Sequence, residues 1–585
     1  MNNYPTQIKK TLITASLFFL AAMQLVIGQS KNEEIEELIK LYHEYGKFNG
    51  SALVAEQGKI VYQNGHGMAN MEWDIENGTD TKHRLGSISK QFTAMLILQL
   101  AAEGKIDLQA PIDNYLPEYP NGHETPITTH HLLTHTAGIP NYTAFPDFFK
   151  DKSRNPYTPD EFVETFKDKE LDFTPGEKFS YSNSGYFLLG VLIEKASGKS
   201  YETMVHNYIF SPLNMKDSGY DNHKDIMKNR ATGYEKYGDG FINSNYLDMS
   251  IPYAAGSLYS TVEDLYTWDQ ALYGNKMLSK EYMDLYFKPQ IKAFGNFDYA
   301  YGWGVGYDKI GSSKDSIYTI AHGGGINGFN TIISRAPSDK SLVVLLNNTG
   351  GAPLNQMTQS IRAILKGESY KLPKASGAYE VLSVIQSDGV EAGEAHYKKL
   401  KDDDGFDFNE NQMNEIGYLL MGEEKISEAL EVFKWNMEAY PTSFNTYDSY
   451  AEASMKAGNK EDAIKYYKKS IEINPGNQNG IDKLKELGVD TADLVKEIEV
   501  ADAILQSYIG QYELKPGFII SISKEGKQMK AQATGQPMFD IYPKSDSVFY
   551  LKVVEAQIEF NQTDGKVDSL TLFQNGQEMP GKRLQ

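Results

Sequence analysis

The sequence predicts a multidomain protein in three parts. An α/β domain comes first, an antiparallel sheet with flanking helices plus a helical subdomain. α-Helical repeats follow, then a small antiparallel β domain. Three observations predict this. The chain has 585 residues, too many for one core, since domains usually run about 50–250 residues. Hairpin patterns bracket residues 31–366, with helix and long loops between them. Beyond them, a helical repeat of fixed spacing gives way to alternating strand-like runs.

The N-terminus is read as a leader. Lys9 and Lys10 are basic, Thr11 to Ile27 is an apolar run, and Gly28 is a small residue before a cut. This is the layout of a secretory signal peptide over residues 1–28. The protein is therefore expected to be exported, periplasmic or secreted. The other reading is an uncut anchor, because the apolar run only just reaches spanning length. Membrane contact is expected only if the segment stays uncleaved.

Hydrophobic residues at 41% and charged residues at 23% are ordinary for a globular protein. With 78 acidic and 57 basic residues the net charge is −21, or −23 once Lys9 and Lys10 are removed. A surface that acidic repels phosphate backbones, which argues against a nucleic-acid partner. With no cysteine, disulfides, thiolate metal sites, cysteine nucleophiles and a lipoprotein anchor are excluded.

The first domain is read over 31–366. SALVAEQGKIVYQNG turns at Gly58-Lys59, and NTIISRAPSDKSLVVLLNN turns at Pro337-Ser338-Asp339. Strands at both ends imply one sheet built from both termini. The second region is 376–500. Ala429 and Ala463, Phe433 and Tyr467, and Pro441 and Pro475 are pairs of matching type at one common spacing. That spacing is the tetratricopeptide period, with a two-residue insertion expected before Ala429. Such an array docks a protein partner or spaces two domains. The third region, 501–585, carries turn signals at Thr563-Asp564-Gly565 and Asn575-Gly576.

The chemistry lies in HRLGSISKQFTAMLILQLAAEGK. Ser-x-x-Lys at a helix start puts Ser87 and Lys90 one turn apart on one face. An amine beside the hydroxyl can activate a weak serine nucleophile. A lysine of pKa near ~10.4 must be lowered to act as a base at neutral pH, to about 7–8. The same tetrapeptide at Ser521-Ile522-Ser523-Lys524 lies in an alternating pattern and reads as chance. The first copy is followed by Tyr181-Ser182-Asn183 and His322-Gly323-Gly324.

This ordered trio, with HHLLTHTAGIP, PGEKFSYSNSGY, AAGSLYSTVEDLYTW and YGWGVGY, resembles the serine hydrolases related to class C β-lactamases and D-Ala-D-Ala carboxypeptidases. These include penicillin-binding proteins and esterases. The resemblance implies a β-lactamase-like fold over 31–366 and an acyl-enzyme mechanism. Ser87 would be the nucleophile, and Lys90 and Tyr181 would share proton transfer, with the base left open. Asn183 would hold substrate or Lys90. The strand of His322, Gly323, Gly324 and Gly325 would line the opposite wall, and the N–H groups of Ser87 and Gly325 would form the oxyanion hole. No metal or other cofactor is implied. Substrates would be D-amino-acid peptides, β-lactams or small esters, with pocket loops at 141–150 and 221–245.

One departure matters. Many relatives carry Lys-Thr-Gly where this chain has His322-Gly323-Gly324. Losing the fixed charge and the hydroxyl weakens the case for a penicillin hydrolase. His130, His131 and His135 read as structural, Trp268 and Trp303 as packing. Asn327 and Asn330 are read either as substrate contacts or as loop-satisfying residues. The alternative to an enzyme is a non-catalytic binding protein using the same fold and the repeats. Intact Ser87, Lys90, Tyr181 and Asn183 favour the enzyme.

Overall fold

The computed structural model describes residues 30–584 apart from 121–123, 239, 492–493, 495–497, 516–517, 535, 537, 555, 564 and 575–576. The expected leader and the turn positions Asp564 and Asn575-Gly576 lie outside the described residues. The first domain opens with helix α1 (Lys31–Glu44), closed at its start by a reciprocal capping box between Ser30 and Glu33. Hairpin β1 (Gly50–Glu56) and β2 (Lys59–His66) follows. The insertion carries α2 (Ser89–Ala102), α3 (Asn183–Ser197) and a hairpin of β3 (Tyr234–Tyr237) and β4 (Gly240–Asn243). The chain returns to the sheet as β5 (Ile291–Phe294), β6 (Phe297–Tyr299), β7 (Gly304–Lys309), β8 (Ser316–Ile326), β9 (Phe329–Ala336) and β10 (Ser341–Asn347). Helix α4 (Leu354–Lys366) closes the domain.

The strand order is β5-β6-β7-β8-β9-β10-β1-β2, so both termini build one antiparallel sheet as expected. β1 and β10 read as continuous apolar runs because both sheet faces are covered. Ala52, Val54, Val343 and Leu345 pack with Ile39 of α1 and Ile361 of α4. Leu53, Val344 and Leu346 belong to the core of the helical subdomain with Phe92 and Leu96. Trp268 and Trp303 are buried in that same core.

A buried ion pair ties the insertion to the sheet. Arg335 Nε on β9 lies 2.6 Å from Asp269 Oδ1, with side chains only 2% and 0% exposed. Asp269→Ala would strand the guanidinium without a counter-charge. Breaking such a pair costs about 3–5 kcal/mol. Urea denaturation should show that loss as a lowered midpoint at unchanged slope.

The second region begins with α5 (Gly377–Asp388) and α6 (Val390–Leu400). Two matched helix pairs follow, α7 (Glu410–Gly422) with α8 (Ile426–Ala439), and α9 (Phe444–Lys456) with α10 (Lys460–Ile473). Helix α11 (Gln478–Glu486) stacks after them. The first helices start at 410 and 444 and the second at 426 and 460, so both are offset by the same repeat length. The expected two-residue insertion is absent, because each pair is joined by a connection of equal length. Ala429, Ala463, Phe433 and Tyr467 are buried between helices. A Cβ on Gly417 would come within 2.5 Å of the Phe433 ring, so the small residue sets the helix spacing. No described helix is long and apolar enough to cross a membrane.

The third region is a closed barrel: β11 (Gly510–Lys515), β12 (Phe518–Glu525), β13 (Gln528–Ala533), β14 (Met538–Pro543), β15 (Val548–Leu551), β16 (Ala556–Thr563), β17 (Lys566–Gln574) and β18 (Gln577–Arg583). Closure comes from Tyr512 pairing with Arg583. The core is filled, with Tyr508 stacked on Phe560 at 4.0 Å between centroids. The second Ser-x-x-Lys lies on β12, where Lys524 pairs with Asp502.

Candidate active site

Ser87 sits in a single tight turn, Gly86–Ile88, that runs into α2. Gly86 adopts φ +55°, and a Cβ there would come within 2.9 Å of Gly325 N, so this turn requires glycine. Helix α2 is buried all round, as expected for a helix apolar on every face. Its position is held by Trp268 Nε1, which donates to Gln91 Oε1 at 3.0 Å, and by Tyr286 Oη, which donates to Gln91 O at 2.8 Å.

Lys90 Nζ lies 3.0 Å from Ser87 Oγ, 2.8 Å from Asn183 Oδ1 and 2.8 Å from Ala255 O. Among the described residues no carboxylate joins this set. The ring centroids of Tyr181 and Tyr186 lie 4.9 and 5.5 Å from Nζ. Those rings favour an ammonium, but complete burial opposes it more strongly and holds the amine well below its usual range. A neutral amine has two N–H groups and one lone pair. Asn183 Oδ1 and Ala255 O can only accept, so they take the N–H groups and leave the lone pair facing Ser87.

Tyr181 reaches Ser87 through its hydroxyl, and burial pushes that phenol above its usual pKa. It is a proton donor and not a phenolate. Its ring lies against His135, tilted by 32° with centroids 4.2 Å apart. His135 takes φ +57°, and its Nδ1 accepts from Ser182 N at 3.1 Å. The other histidines of that stretch also make internal bonds. His130 pairs with Tyr301 Oη at 2.8 Å, and His131 closes the start of its helix on Thr128.

The opposite wall is the end of β8. His322 Nδ1 meets Gly323 O at 2.6 Å, and Nε2 meets Tyr299 Oη at 3.1 Å. A carbonyl only accepts, so the proton sits on Nδ1 and the tyrosine donates to Nε2. Burial lowers the His322 pKa to about 4. The ring is neutral at neutral pH, and the wall carries no fixed cation there.

The three glycines differ in what they do. A Cβ on Gly324 would fall 1.9 Å from Leu85 O, whereas one on Gly325 meets nothing within 4 Å. Close approach at Gly324 is therefore to the turn that carries Ser87 and not to a ligand. Ile326 pairs with Phe329 around the Asn327-Gly328 turn. The antiparallel alternation then turns the Gly325 N–H away from β9. β7 stops at Gly304, opposite Ala321, so that side is open toward Gly86-Ser87.

A cavity of about 110 Å³ adjoins Ser87, lined by Tyr142, Phe148, Phe149, Leu247, Ile251 and Ile326 among others. The first expected pocket loop thus contributes directly. The second contributes only just past its end, at Leu247. Asn327 Nδ2 donates to Asn245 O and Asn330 Nδ2 to Ala352 O, each at 2.8 Å. Both asparagines satisfy loop carbonyls.

Sequence reasoning missed Ala255 and Tyr186 as site residues and placed Asn141 only within a pocket loop. Asn141 Oδ1 accepts from Asn183 N at 3.1 Å, and Ala255 and Tyr186 surround Lys90. Asn141 directly follows the HTAGIP stretch and was legible as its neighbour. Ala255 acts through its carbonyl, which no side-chain pattern signals.

Comparison with known proteins adds three matches to family models. One described as Beta-lactamase covers residues 35–366, one described as Tetratricopeptide repeat covers 444–477, and a domain of unknown function (DUF3471) covers 495–583. The putative penicillin-binding protein PbpX of Bacillus subtilis (strain 168) is 31% identical over 339 residues, 58% of this chain and 79% of that one. A D-amino acid amidase from Ochrobactrum anthropi SV3 superposes with TM-score 0.51 at 25% identity, covering 58% of this chain and 99% of that one. The octameric penicillin-binding protein homologue from Pyrococcus abyssi shares the fold at TM-score 0.51 and 21% identity, over 94% of this chain and 99% of that one.

Proposed function

Because the chain belongs to the Beta-lactamase family through residues 35–366, a family of serine hydrolases, we propose that it cleaves neutral amides and small esters with apolar acyl groups through an acyl-enzyme on Ser87. The observation that carries this is the apolar cavity beside Ser87, faced by a neutral His322 and, among the described residues, no fixed cation. A β-lactam presents a carboxylate, which this wall does not neutralise. A D-amino acid amidase of the same fold supports the amide side of the reading. The apolar leader supports export, and the tetratricopeptide match supports docking of a protein partner.

Each proton has a path. Neutral Lys90 takes the Ser87 proton as Oγ attacks the carbonyl carbon. The oxyanion is met by the N–H groups of Ser87 and Gly325, each such donor being worth about 10²–10³ in rate. Tyr181 O–H protonates the leaving nitrogen or oxygen, and the Lys90 ammonium returns a proton to the phenol. A water molecule then repeats the sequence against the acyl-enzyme.

The sign of the pH dependence follows. Lys90 must be unprotonated, and its pKa is lowered. kcat/KM therefore rises with pH on the acid limb and levels off well before the ordinary lysine range near ~10.5. Intact-mass spectrometry tests the nucleophile: a fluorophosphonate should add to the native chain and not to Ser87→Ala. Turnover of a neutral apolar ester or of an N-acetylated D-phenylalanine amide should exceed turnover of benzylpenicillin. Faster penicillin turnover would reverse the substrate assignment. A folded chain inert to every probe would favour the binding-protein alternative.

A further inference from the structure

We propose that Glu415, in the helical-repeat region, is a positioning residue for hydrolysis at Ser87. Through hairpin β3–β4 it holds the segment 244–247, which enters the apolar pocket at Leu247. The proposal rests on the serine-hydrolase reading above.

The hairpin leaves the first domain and meets α7. Gly238 N donates to Glu415 Oε1 at 3.0 Å, and Tyr379 Oη on α5 donates to Oε2 at 2.6 Å. Both carboxylate oxygens are thus engaged, one by the hairpin and one by the neighbouring helix. Lys236 Nζ lies 5.0 Å from the Tyr379 ring centroid. Leu419 packs so closely on Gly238 that a Cβ there would come within 2.9 Å of its Cδ1, and Gly238 takes φ +62°.

The other end of the hairpin meets the pocket. Ser244 N donates to Gly233 O at 3.1 Å and closes the hairpin base. A Cβ on Gly328, in the β8–β9 turn, would fall 2.5 Å from Gly233 Cα. Asn327 Nδ2 donates to Asn245 O at 2.8 Å, and Leu247 then lines the cavity beside Ile326 and Asn327. Four cross-strand pairs, Tyr234 with Asn243 through Tyr237 with Gly240, join the two ends.

A two-stranded ribbon is marginal in water by itself. Its orientation is set by what holds its ends. Here the tip is held by α7, while the base is bonded to the first domain at Tyr234 and leads on to Leu247 of the pocket, so a contact outside the catalytic domain reaches the pocket without touching substrate.

The test compares full-length Glu415→Ala and Glu415→Gln with the native chain. In Glu415→Ala, amide exchange over 244–247 should rise about tenfold, the scale expected for losing one anchoring hydrogen bond. KM for a bulky acyl ester should rise about fivefold, with kcat and the KM of an acetyl ester within about twofold. Glu415→Gln should restore both, because its amide oxygen still accepts from Gly238. Unchanged exchange at 244–247 in Glu415→Ala would overturn the proposal, as would failure of Glu415→Gln to rescue. If exchange responds as expected while fluorophosphonate leaves native Ser87 unlabelled, the positioning contact stands and the hydrolase reading falls.

Discussion

Lys90→Arg is expected to abolish useful turnover while leaving the protein folded. The substitution keeps a long nitrogen-bearing side chain, but a guanidinium does not give up its proton in proteins. It cannot take the Ser87 proton. Its charge would also sit against Asn183 Oδ1 and Ala255 O, with no carboxylate among the described residues joining them to balance it. Removing general-base catalysis lowers the rate by about 10²–10⁴. Stopped-flow acylation by a neutral ester, read beside a thermal melt, checks this. If Lys90→Arg acylates within about tenfold of the native rate, Lys90 is not the base, and Tyr181 becomes the candidate despite its raised pKa.

Gly324→Ala is the second large effect, and Gly325→Ala is its control. At 324 a Cβ would fall 1.9 Å from Leu85 O and 2.5 Å from Thr331 Oγ1. Both are held in place, since Thr331 Oγ1 donates to Leu85 O at 2.8 Å. The strand must retreat from the nucleophile turn, which separates the Gly325 N–H from the oxyanion position. Loss of one such donor lowers kcat by about 10²–10³. At 325 a Cβ enters open space. Labelling of Gly325→Ala by a small fluorophosphonate should stay within about tenfold of native, well short of the loss of a donor. Equal rates for the two variants would show that strand and turn are not coupled.

The site was legible in proportion to how local its geometry is. Ser87 and Lys90 meet because helix geometry puts i and i+3 on one face, and that spacing is written in the chain. The helical repeat is legible for the same reason, since each helix pair is built from residues close in sequence. Hairpin turns at Gly58-Lys59 and Pro337-Ser338-Asp339 likewise needed only local pattern. Closure of the C-terminal strands into a barrel was not legible, because it depends on Tyr512 of the first strand meeting Arg583 of the last. A strand pattern specifies which face is apolar, not which edge will find a partner.

By itself, then, the sequence determined the helix start that sets Ser87 beside Lys90, the sheet-forming segments, the repeat period and the histidine in place of a lysine at position 322. Each is a matter of residue type and short-range periodicity. Only the tertiary structure decided the protonation chemistry. Lys90 is lowered because burial removes water and, among the described residues, no carboxylate approaches; burial likewise keeps His322 neutral, while Gly323 O and Tyr299 fix its tautomer. Tertiary packing likewise brought Glu415 of a separate helical region to a loop of the catalytic domain. Desolvation and long-range contacts sum over everything that packs around a group, and no window of sequence contains that sum.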